Sequence, residues 1–442
     1  MSQTTSYRTN QYRCARSRSV HEVLDVVGER VSRLWNAANY LCCKDYLAGR
    51  KVPSYQGLCS LLPAQYPQDY FALPSDIAQE TLKKLREAWL SFFALRNRHA
   101  AGKLQHRPGL PRYRKFKDGS RPSDYIPVKS SRSCSVARSL ASLTLPADLR
   151  EHGRLQLPIK GQARYRGKQG RAELLFDPVA RLWRLTVSIE VPGRTLELKG
   201  RAAGIDLGLR VAAALSIQGQ ARATLFSGRE MLRDYAYWTR RIAAHQQELS
   251  RRDLKTSRQL KRLYGMRKAR LEHALRATAK AVAGLCRRSN VQQVAIGWPK
   301  GIRDDVRVRK DWRGRLHNYW NFDRFATVLQ QALERQGIAV QRVNERGTSS
   351  TCPWTGQAAH QLVRRPRHKL QCKDCGKTMH SDAAGALNMA QLKVLGFDRD
   401  AVKATAVPTV HVWKRQAWKP RTKSAARHRR TPQPNPHGCR PA

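Results

Sequence analysis

The sequence predicts an α+β chain in two parts, and three stretches carry that expectation. Val20, Val23, Leu24, Val27, Val31, Leu34, Ala38 and Leu41 recur at intervals of three and four. That spacing puts one apolar stripe on a helix. Ser142–Leu145, Leu155–Ile159, Glu173–Phe176 and Trp183–Val191 are short runs punctuated by Gly and Pro, the pattern of strands. Val291–Ala390 reads as strand, helix, strand, cysteine insert and a closing helix. The first two stretches make a small β-barrel with a helical pair inserted. The third makes a separate sheet-based part.

Composition narrows the partner. The 442 residues hold 84 Lys+Arg against 32 Asp+Glu, a formal charge of +52. Such an excess repels itself unless a polyanion is bound. A hydrophobic content of 41% is enough for two or three cores, more than a simple packing protein of the ribosomal or chromatin kind builds. No run approaches the length of a membrane-spanning helix, and the polar N-terminus lacks a signal-type apolar core, so no membrane is expected. Ten irregularly spaced cysteines suit a reducing cytoplasm better than a disulfide frame.

In chain order, residues 5–18 are basic and make one strand with Tyr7 and Tyr12. After the first helix, Pro53 to Pro74 reads as a broken connector. A second helix runs from about Asp76 to Arg98, capped by Ser75 or Asp76, with Leu82, Leu85, Trp89, Phe92 and Phe93 inward. His99 to Lys117 is loop-like. There Arg112, Arg114, Lys115 and Lys117 flank Tyr113 and Phe116. Basic residues interleaved with aromatics suit backbone contact and base stacking; a solvated charged loop is the alternative. Gly204–Ile217 and Ala221–Phe226 form a three-strand meander. Met231 to Arg288 is helical, and its part Arg240–Arg288 holds fifteen Lys+Arg against three acids. Arg251, Arg252, Arg258 and Arg262 are its candidate nucleic-acid contacts. Val294–Ile296 is a strand, Trp320 to Gln336 a helix ended by Gly337, and Ile338–Val343 a strand. From Ala401 onward there is no acid, and Lys414 to Arg440 carries nine Lys+Arg with many prolines, a disordered basic tail.

The chemistry lies in acids and cysteines. Asp206 stands in Gly-Ile-Asp-Leu-Gly-Leu at the end of a strand, before the apolar run Val211–Leu215. Asp382 heads Asp-Ala-Ala-Gly-Ala-Leu-Asn-Met, whose small residues let a helix pack close to a sheet. Carboxylates with phosphate oxygens are the usual ligands of Mg²⁺, and two such ions can clamp both oxygens of a phosphodiester exchange. Between the acids stand Thr348-Ser-Ser-Thr-Cys352 and Cys372-Lys-Asp-Cys375-Gly376. A complete zinc ribbon has two Cys-x-x-Cys knuckles. Here the first reads Cys352-Pro-Trp-Thr355, one thiolate short. His360 or His368 then supplies the fourth ligand beside Cys352, Cys372 and Cys375.

Gly204–Leu209, Thr348–Cys352, Cys372–Gly376 and Asp382–Met389 together resemble the RuvC-type nucleases of the transposon-encoded TnpB family and the miniature type V CRISPR effectors. Leu73–Ser75, Ile77 to Leu85 and Pro111–Arg114 match as well, so the resemblance spans roughly residues 5–395. It implies a bilobed chain: a β-barrel with an inserted helical domain, and an RNase H-like (RuvC) domain with an inserted zinc-ribbon-like module. The implied layout is barrel start at 1–18, helical domain 19–104, remaining barrel 105–199, nuclease domain 200–347, insert 348–379, last nuclease helix 380–396 and tail 397–442. It further implies a guide RNA, a double-stranded target DNA, cleavage by Asp206, Glu345 and Asp382 with two Mg²⁺, a structural Zn²⁺, and a bacterial or archaeal cytoplasmic setting near the nucleoid. Monomer and homodimer both remain open. One position departs from the family. The acid that normally ends the strand of Val294–Ile296 is Gly297 here, and glycine binds no metal. Glu345, at the end of the next strand, is the replacement expected, as some members show. Otherwise Glu345 pairs with Arg342 or Arg346 on the surface, and the chain is a nuclease-inactive guided binder. A general basic RNA-binding protein is the third reading.

Overall fold

The computed structural model describes residues 6–102, 104, 106–114, 125–129, 132–150, 153–191, 200–298, 322–345, 348, 350–366, 368–393, 408–414 and 417–421. Lys115 and Lys117 of the expected nucleic-acid set, and Arg346, lie outside these residues. The chain is α+β and divides into two compact units, Met1–Arg194 and Thr195–Ala442.

The first unit is built on strand β1 (Ser6–Cys14). Four helices follow it: α1 (Arg18–Leu47), α2 (Tyr55–Gln65), α3 (Pro67–Phe71) and α4 (Ser75–Ala100). Then come β2 (Tyr125–Lys129), β3 (Cys134–Ala137), β4 (Leu140–Leu143), β5 (Leu155–Lys160), β6 (Lys168–Asp177) and β7 (Leu182–Val191). The seven strands run in the order β2-β6-β7-β1-β5-β4-β3, a nearly closed, barrel-like sheet. β1 holds it together by pairing β7 along one side and β5 at its end. Trp183, Leu185, Val187 and Ile189 alternate inward from β7, as the period of two requires.

The stripe on α1 is buried as expected: Leu24, Val27, Val31, Leu34 and Ala38 are fully covered. It faces Leu82, Leu85 and Trp89 of α4. Trp89 donates its Nε1 proton to Asn39 Oδ1 at 3.0 Å, so the indole buries without an orphaned donor. Two expectations fail here. The region from Pro53 to Pro74 is no mere connector: it folds as α2 and α3. Ser54 caps α2 by accepting from Gly57 N at 3.1 Å, and Leu58 and Leu62 bury one face. Neither Ser75 nor Asp76 caps α4. Pro74 holds the N-cap position, and Asp76 instead accepts from Ser133 Oγ at 2.8 Å.

The second unit carries β8 (Arg201–Asp206), β9 (Val211–Ile217), β10 (Thr224–Ser227), the helices α5 (Arg229–Arg251) and α6 (Arg258–Arg288), and β11 (Val291–Trp298). Next come α7 (Phe322–Glu334), β12 (Ala339–Asn344), the three short strands β13 (Leu362–Arg365), β14 (Lys369–Cys372) and β15 (Thr378–His380), and α8 (Ser381–Lys393). Two further strands follow, β16 (Thr409–Lys414) and β17 (Ala417–Pro420). The main sheet runs β12-β11-β8-β9-β10-β16-β17. β8, β9 and β10 form the antiparallel meander, while β11 lies parallel to both β8 and β12. Helices α6 and α7 cover one face through Leu275, Val282, Phe325 and Leu329. Helix α8 covers the other, where Met389 meets Ala202, Ala295 and Val343.

β16 and β17 correct the reading of 397–442 as a disordered tail. β16 pairs in parallel with β10, and Trp413 faces Trp418 across the β16–β17 hairpin. The stretch Thr-Val-His-Val-Trp is a strand sequence by composition. Residues 422–442 lie outside the described residues.

Candidate active site

The sheet's register decides which acids share a face. β11 pairs β8 with Ile296 beside Ile205, so the next step puts Gly297 beside Asp206. β11 also pairs β12 with Gly297 beside Val343. Side chains alternate along a strand, so Glu345, two residues past Val343, lies on the same side as Gly297 and Asp206.

Helix α8 brings the third acid to that face. Its approach depends on two glycines. A Cβ on Gly204 would lie 1.7 Å from the Ala386 carbonyl oxygen, and one on Gly385 would lie 2.8 Å from Asp206 Oδ2. A side chain at 204 would hold the helix off, and one at 385 would press on the Asp206 carboxylate. Ser216 of β9 donates to the Ala383 carbonyl at 3.1 Å, fixing the first turn of α8 and with it Asp382.

Glu345 occupies the space left by Gly297. A Cβ at 297 would lie 2.7 Å from Glu345 Oε1 and 2.4 Å from Met389 Sδ. Glu345 Oε1 is buried and has no hydrogen-bond partner among the described residues. The expected alternative, a surface pairing with Arg342, does not occur: Arg342 bonds Asp323, Thr327 and Gln330 instead. The backbone of Glu345 is held by a relay that the sequence reading did not assign. Thr348 donates from N and Oγ1 to the Glu345 carbonyl at 3.0 and 2.8 Å. Asn388 of α8, fully buried, donates Nδ2 to the carbonyls of Thr348 and Thr351 at 2.6 and 2.8 Å.

Electrostatics ties the acids together. Burial, then the charge of Asp382, pushes the Asp206 carboxyl up to about 7. Burial, then the charge of Asp206, pushes Glu345 up to about 8. Asp206 is thus the middle member, coupled to both others. Like charges held this close in a poorly solvated site favour protonation unless a cation intervenes. The orphaned Glu345 oxygen and the two raised carboxyls make a donor set of the hard, oxygen-only kind that a divalent cation takes. The three acids do not close into a single-ion cage, since the described residues contain one such compact cluster and it is elsewhere. Asp382 is the outermost, with 31% of its side chain exposed. A cleft lined by Asp206, Asp382, Arg210 and His368 opens over two of the acids, and Glu345 is not in its wall.

The compact cluster is Cys352, His360, Cys372 and Cys375, whose ligand atoms all lie within 4.8 Å of one another. Each knuckle closes on a left-handed glycine, Gly356 at φ +71° and Gly376 at φ +67°, a conformation that glycine adopts at least cost. Cys375 N donates to Cys372 Sγ at 3.4 Å. The degenerate knuckle keeps this shape, and His360 Nδ1 comes in 3.5 Å from Thr355 Oγ1, where a thiolate is missing. The cysteine sulfurs lie 3.7 and 3.8 Å apart, and His360 Nδ1 stands 3.4 and 3.5 Å from two of them. Around zinc bonded to sulfur at about 2.3 Å, a tetrahedron has sulfur–sulfur edges of about 3.8 Å. Burial raises the Cys352 thiol, but hydrogen bonds from Thr355, Trp354 and His360 outweigh it and bring it down to about 6. His368 is not part of this cluster. It turns back at φ +59° and stacks on His380 at 5.6 Å, beside the acids.

The basic candidates divide. Arg251, Arg252, Arg258 and Arg262 are all exposed, at the joined ends of α5 and α6. Arg252 shares Glu248 at 3.3 Å. Arg112 and Tyr113 are exposed on a loop pinned by Trp35, Asn36 and Asn39. Arg114 differs from the expectation. Its guanidinium sits 4.3 Å from the Trp35 ring centroid and 5.4 Å from that of Tyr125, with Nη1 buried. It is a cation packed on two rings.

Two family models match the chain: the OrfB_IS605 probable transposase over residues 185–303, and the Cas12f1-like TNB domain over 322–389. The TnpB-like protein ORF457 of Acidianus two-tailed virus is 25% identical over 426 residues, covering 90% of this chain and 88% of that protein. The TnpB-like protein MJ0751 of Methanocaldococcus jannaschii is 26% identical over 145 residues, 33% of this chain and 50% of that protein. The Cas12f1 chain of a Cas12f1–sgRNA–target DNA complex superposes with a TM-score of 0.52 at 13% identity, covering 85% of this chain and 83% of that one. At that identity the likeness speaks for the fold. The domain models and relatives that match are those of TnpB-like proteins and Cas12f1-like effectors, the family that the acid and cysteine motifs of this chain resemble.

Proposed function

We propose that the chain is an RNA-guided DNA endonuclease: it pairs a bound guide RNA with one strand of target DNA and cleaves with Asp206, Glu345 and Asp382. The observation that carries the reading is the Glu345 carboxylate over Gly297, buried and unpartnered. A lost acid has a replacement on the same face of the same sheet. Asp206, Glu345 and Asp382 are the residues that would hold Mg²⁺. Mg²⁺ held there would supply activation of a water and stabilisation of the leaving oxygen. The chain's own contribution is placement. Gly204 and Gly385 seat α8 on the strands, and Asn388 with Thr348 steadies Glu345. The partly exposed Asp382 lies on the side from which a phosphate enters. Guide pairing reads sequence, while the protein holds the heteroduplex by its backbone. The exposed arginines 251, 252, 258 and 262, with Arg112 and Tyr113, are the residues proposed for such contacts.

A second reading, guided binding without cleavage, is favoured by Gly297 alone. The test separating them uses protein purified with its co-expressed guide RNA. Matched and scrambled duplexes are incubated with Mg²⁺ or with chelator. Cutting of the matched duplex in Mg²⁺ alone is expected. Matched binding with no cutting in either condition supports the second reading, and equal retention of scrambled DNA supports a general basic binder.

Cys352, His360, Cys372 and Cys375 are proposed to hold a structural zinc. Their knuckles support Leu370 and Met379, which pack on Ala384 and Leu387 of α8. Cys372→Ser and Cys375→Ser are each expected to release one equivalent of zinc and to make 350–380 the first site of proteolysis. Elemental analysis of the purified chain is the check; zinc-free wild-type protein with the same protease resistance contradicts it.

A further inference from the structure

β16 and β17 lie beyond both matched family regions, yet they build a feature of their own. With β10 and α6 they wall a groove of about 740 Å³ on the second unit. Its floor is aromatic. Phe226 of β10 stacks on His411 of β16 at 5.4 Å, and Trp418 of β17 meets Phe226 edge-on at 5.0 Å. Trp413 lies 5.4 Å from Trp418 and 5.9 Å from His273 of α6.

Its α6 wall is cationic. Arg276, Lys280 and Arg288 fall at steps of four along one helix face, and Gly284 between the last two leaves the wall open. Among the described residues no acid lines the groove. Arg276 is partly neutralised by Glu272 at 3.6 Å. Two polar atoms of the aromatic floor, Trp418 Nε1 and His411 Nδ1, are buried without a hydrogen-bond partner among the described residues. Each such atom costs about 1–3 kcal/mol until something bonds it.

We propose that this groove binds single-stranded nucleic acid. Bases would stack on the Trp413–Trp418 platform, and phosphates would meet Lys280 and Arg288. The ligand class follows from the combination. Aromatic faces with cations alongside are the chemistry of strand tracking. A purely apolar ligand leaves the cations unanswered, and the chain's +52 charge already demands polyanions. An acidic peptide shares the charge but is not built of flat rings that stack in series on the Trp413–Trp418 platform. The proposal is independent of whether the acids cleave, because strand binding here needs none of them.

The test is fluorescence anisotropy of a labelled oligothymidine twelve-mer with the full chain carrying its guide RNA. Trp413→Ala is expected to weaken binding about 5- to 100-fold, the loss of one or two stacked bases, and Trp413→Phe to recover most of it. Lys280→Ala with Arg288→Ala, on an exposed helix face that tolerates them, is expected to lower the slope of log affinity against log salt by about two. Affinities within twofold of wild type for both variants overturn the proposal. So does Trp413-dependent binding of a labelled acidic, tryptophan-containing peptide when the oligonucleotide is indifferent to Trp413. So too does oligonucleotide binding that becomes Trp413-dependent only after residues 422–442 are deleted, since the chain's own end would then fill the groove.

Discussion

Asp206→Ala and Asp382→Ala are each expected to lower cleavage of a matched duplex by roughly 10³-fold or more, and the double variant no further, because groups acting as one unit do not lose activity additively. Guided binding should survive, since the backbone contacts lie elsewhere. Asp206 should also leave a mark on stability. Its folded carboxyl is raised to about 7 and that of Glu345 to about 8, both above their values in an unfolded chain. The folded state therefore holds extra protons. The stability this gives is complete below about pH 4 and is lost as pH rises through 7 and 8. Metal-free Asp206→Asn, which carries no charge to repel its neighbours, should thus melt higher than metal-free wild type at pH 8 and alike at pH 4. About 1 kcal/mol is a reasonable scale, or a few degrees in a chain of this size. Mg²⁺ should raise the wild-type melting point more at pH 8 than at pH 5. Calorimetry at the two pH values reads both effects, and a Mg²⁺ shift that is larger at pH 5 contradicts this account of the acids.

Gly204→Ala is the second large effect. The new methyl would stand 1.7 Å from the Ala386 carbonyl oxygen, a backbone atom with no rotamer to escape into. Helix α8 must lift, and overpacking of this kind costs about 1–3 kcal/mol. The same movement carries Asp382 away from Asp206, so cleavage should fall much further than stability. Gly297→Ala should act more locally by pressing on Met389 and the Glu345 carboxylate. Gly265→Ala on α6 is the control. Nothing lies within 4 Å of its new methyl, and a helical Gly→Ala change there should stabilise by about 0.5–1 kcal/mol. Melting and cleavage measured on all three variants settle the order. Wild-type cutting by Gly204→Ala would mean that α8 need not touch β8.

Periodicity made much of this fold legible. The stripe from Val20 to Leu41, the meander after Gly204 and the strand–helix–strand from Val291 all appear as elements. What composition concealed was local. Prolines at 53, 63 and 67 broke the helical pattern of α2 and α3, although Ser54 and the Leu58–Leu62 pair were a cap and a buried face in plain view. The basic charge around β16 and β17 outweighed Val410, Val412 and Trp413, whose pairing needs the edge of β10, far away in sequence. The choice between His360 and His368 turned on a single backbone conformation, the left-handed turn at His368. Asn388 stood inside a recognised motif, but its partners are carbonyls of the insert, and no spacing rule announces them. Arg114 looked like a phosphate ligand because its aromatic partners, Trp35 and Tyr125, are distant in the chain. By contrast, Glu345 was accessible from strand parity once Gly297 and Val343 were taken as neighbours.

The proposed cleavage requires Glu345 to stand in for the acid missing at Gly297. The most direct measurement is Glu345→Gln, a change of charge with almost no change of shape, assayed for guided binding and cleavage of one matched duplex in Mg²⁺. The carboxylate would be a ligand that an amide replaces poorly, so binding should match wild type while cleavage falls by roughly two orders of magnitude or more. Cleavage at the wild-type rate by Glu345→Gln would contradict the assignment of Glu345 as the third carboxylate beside Asp206 and Asp382.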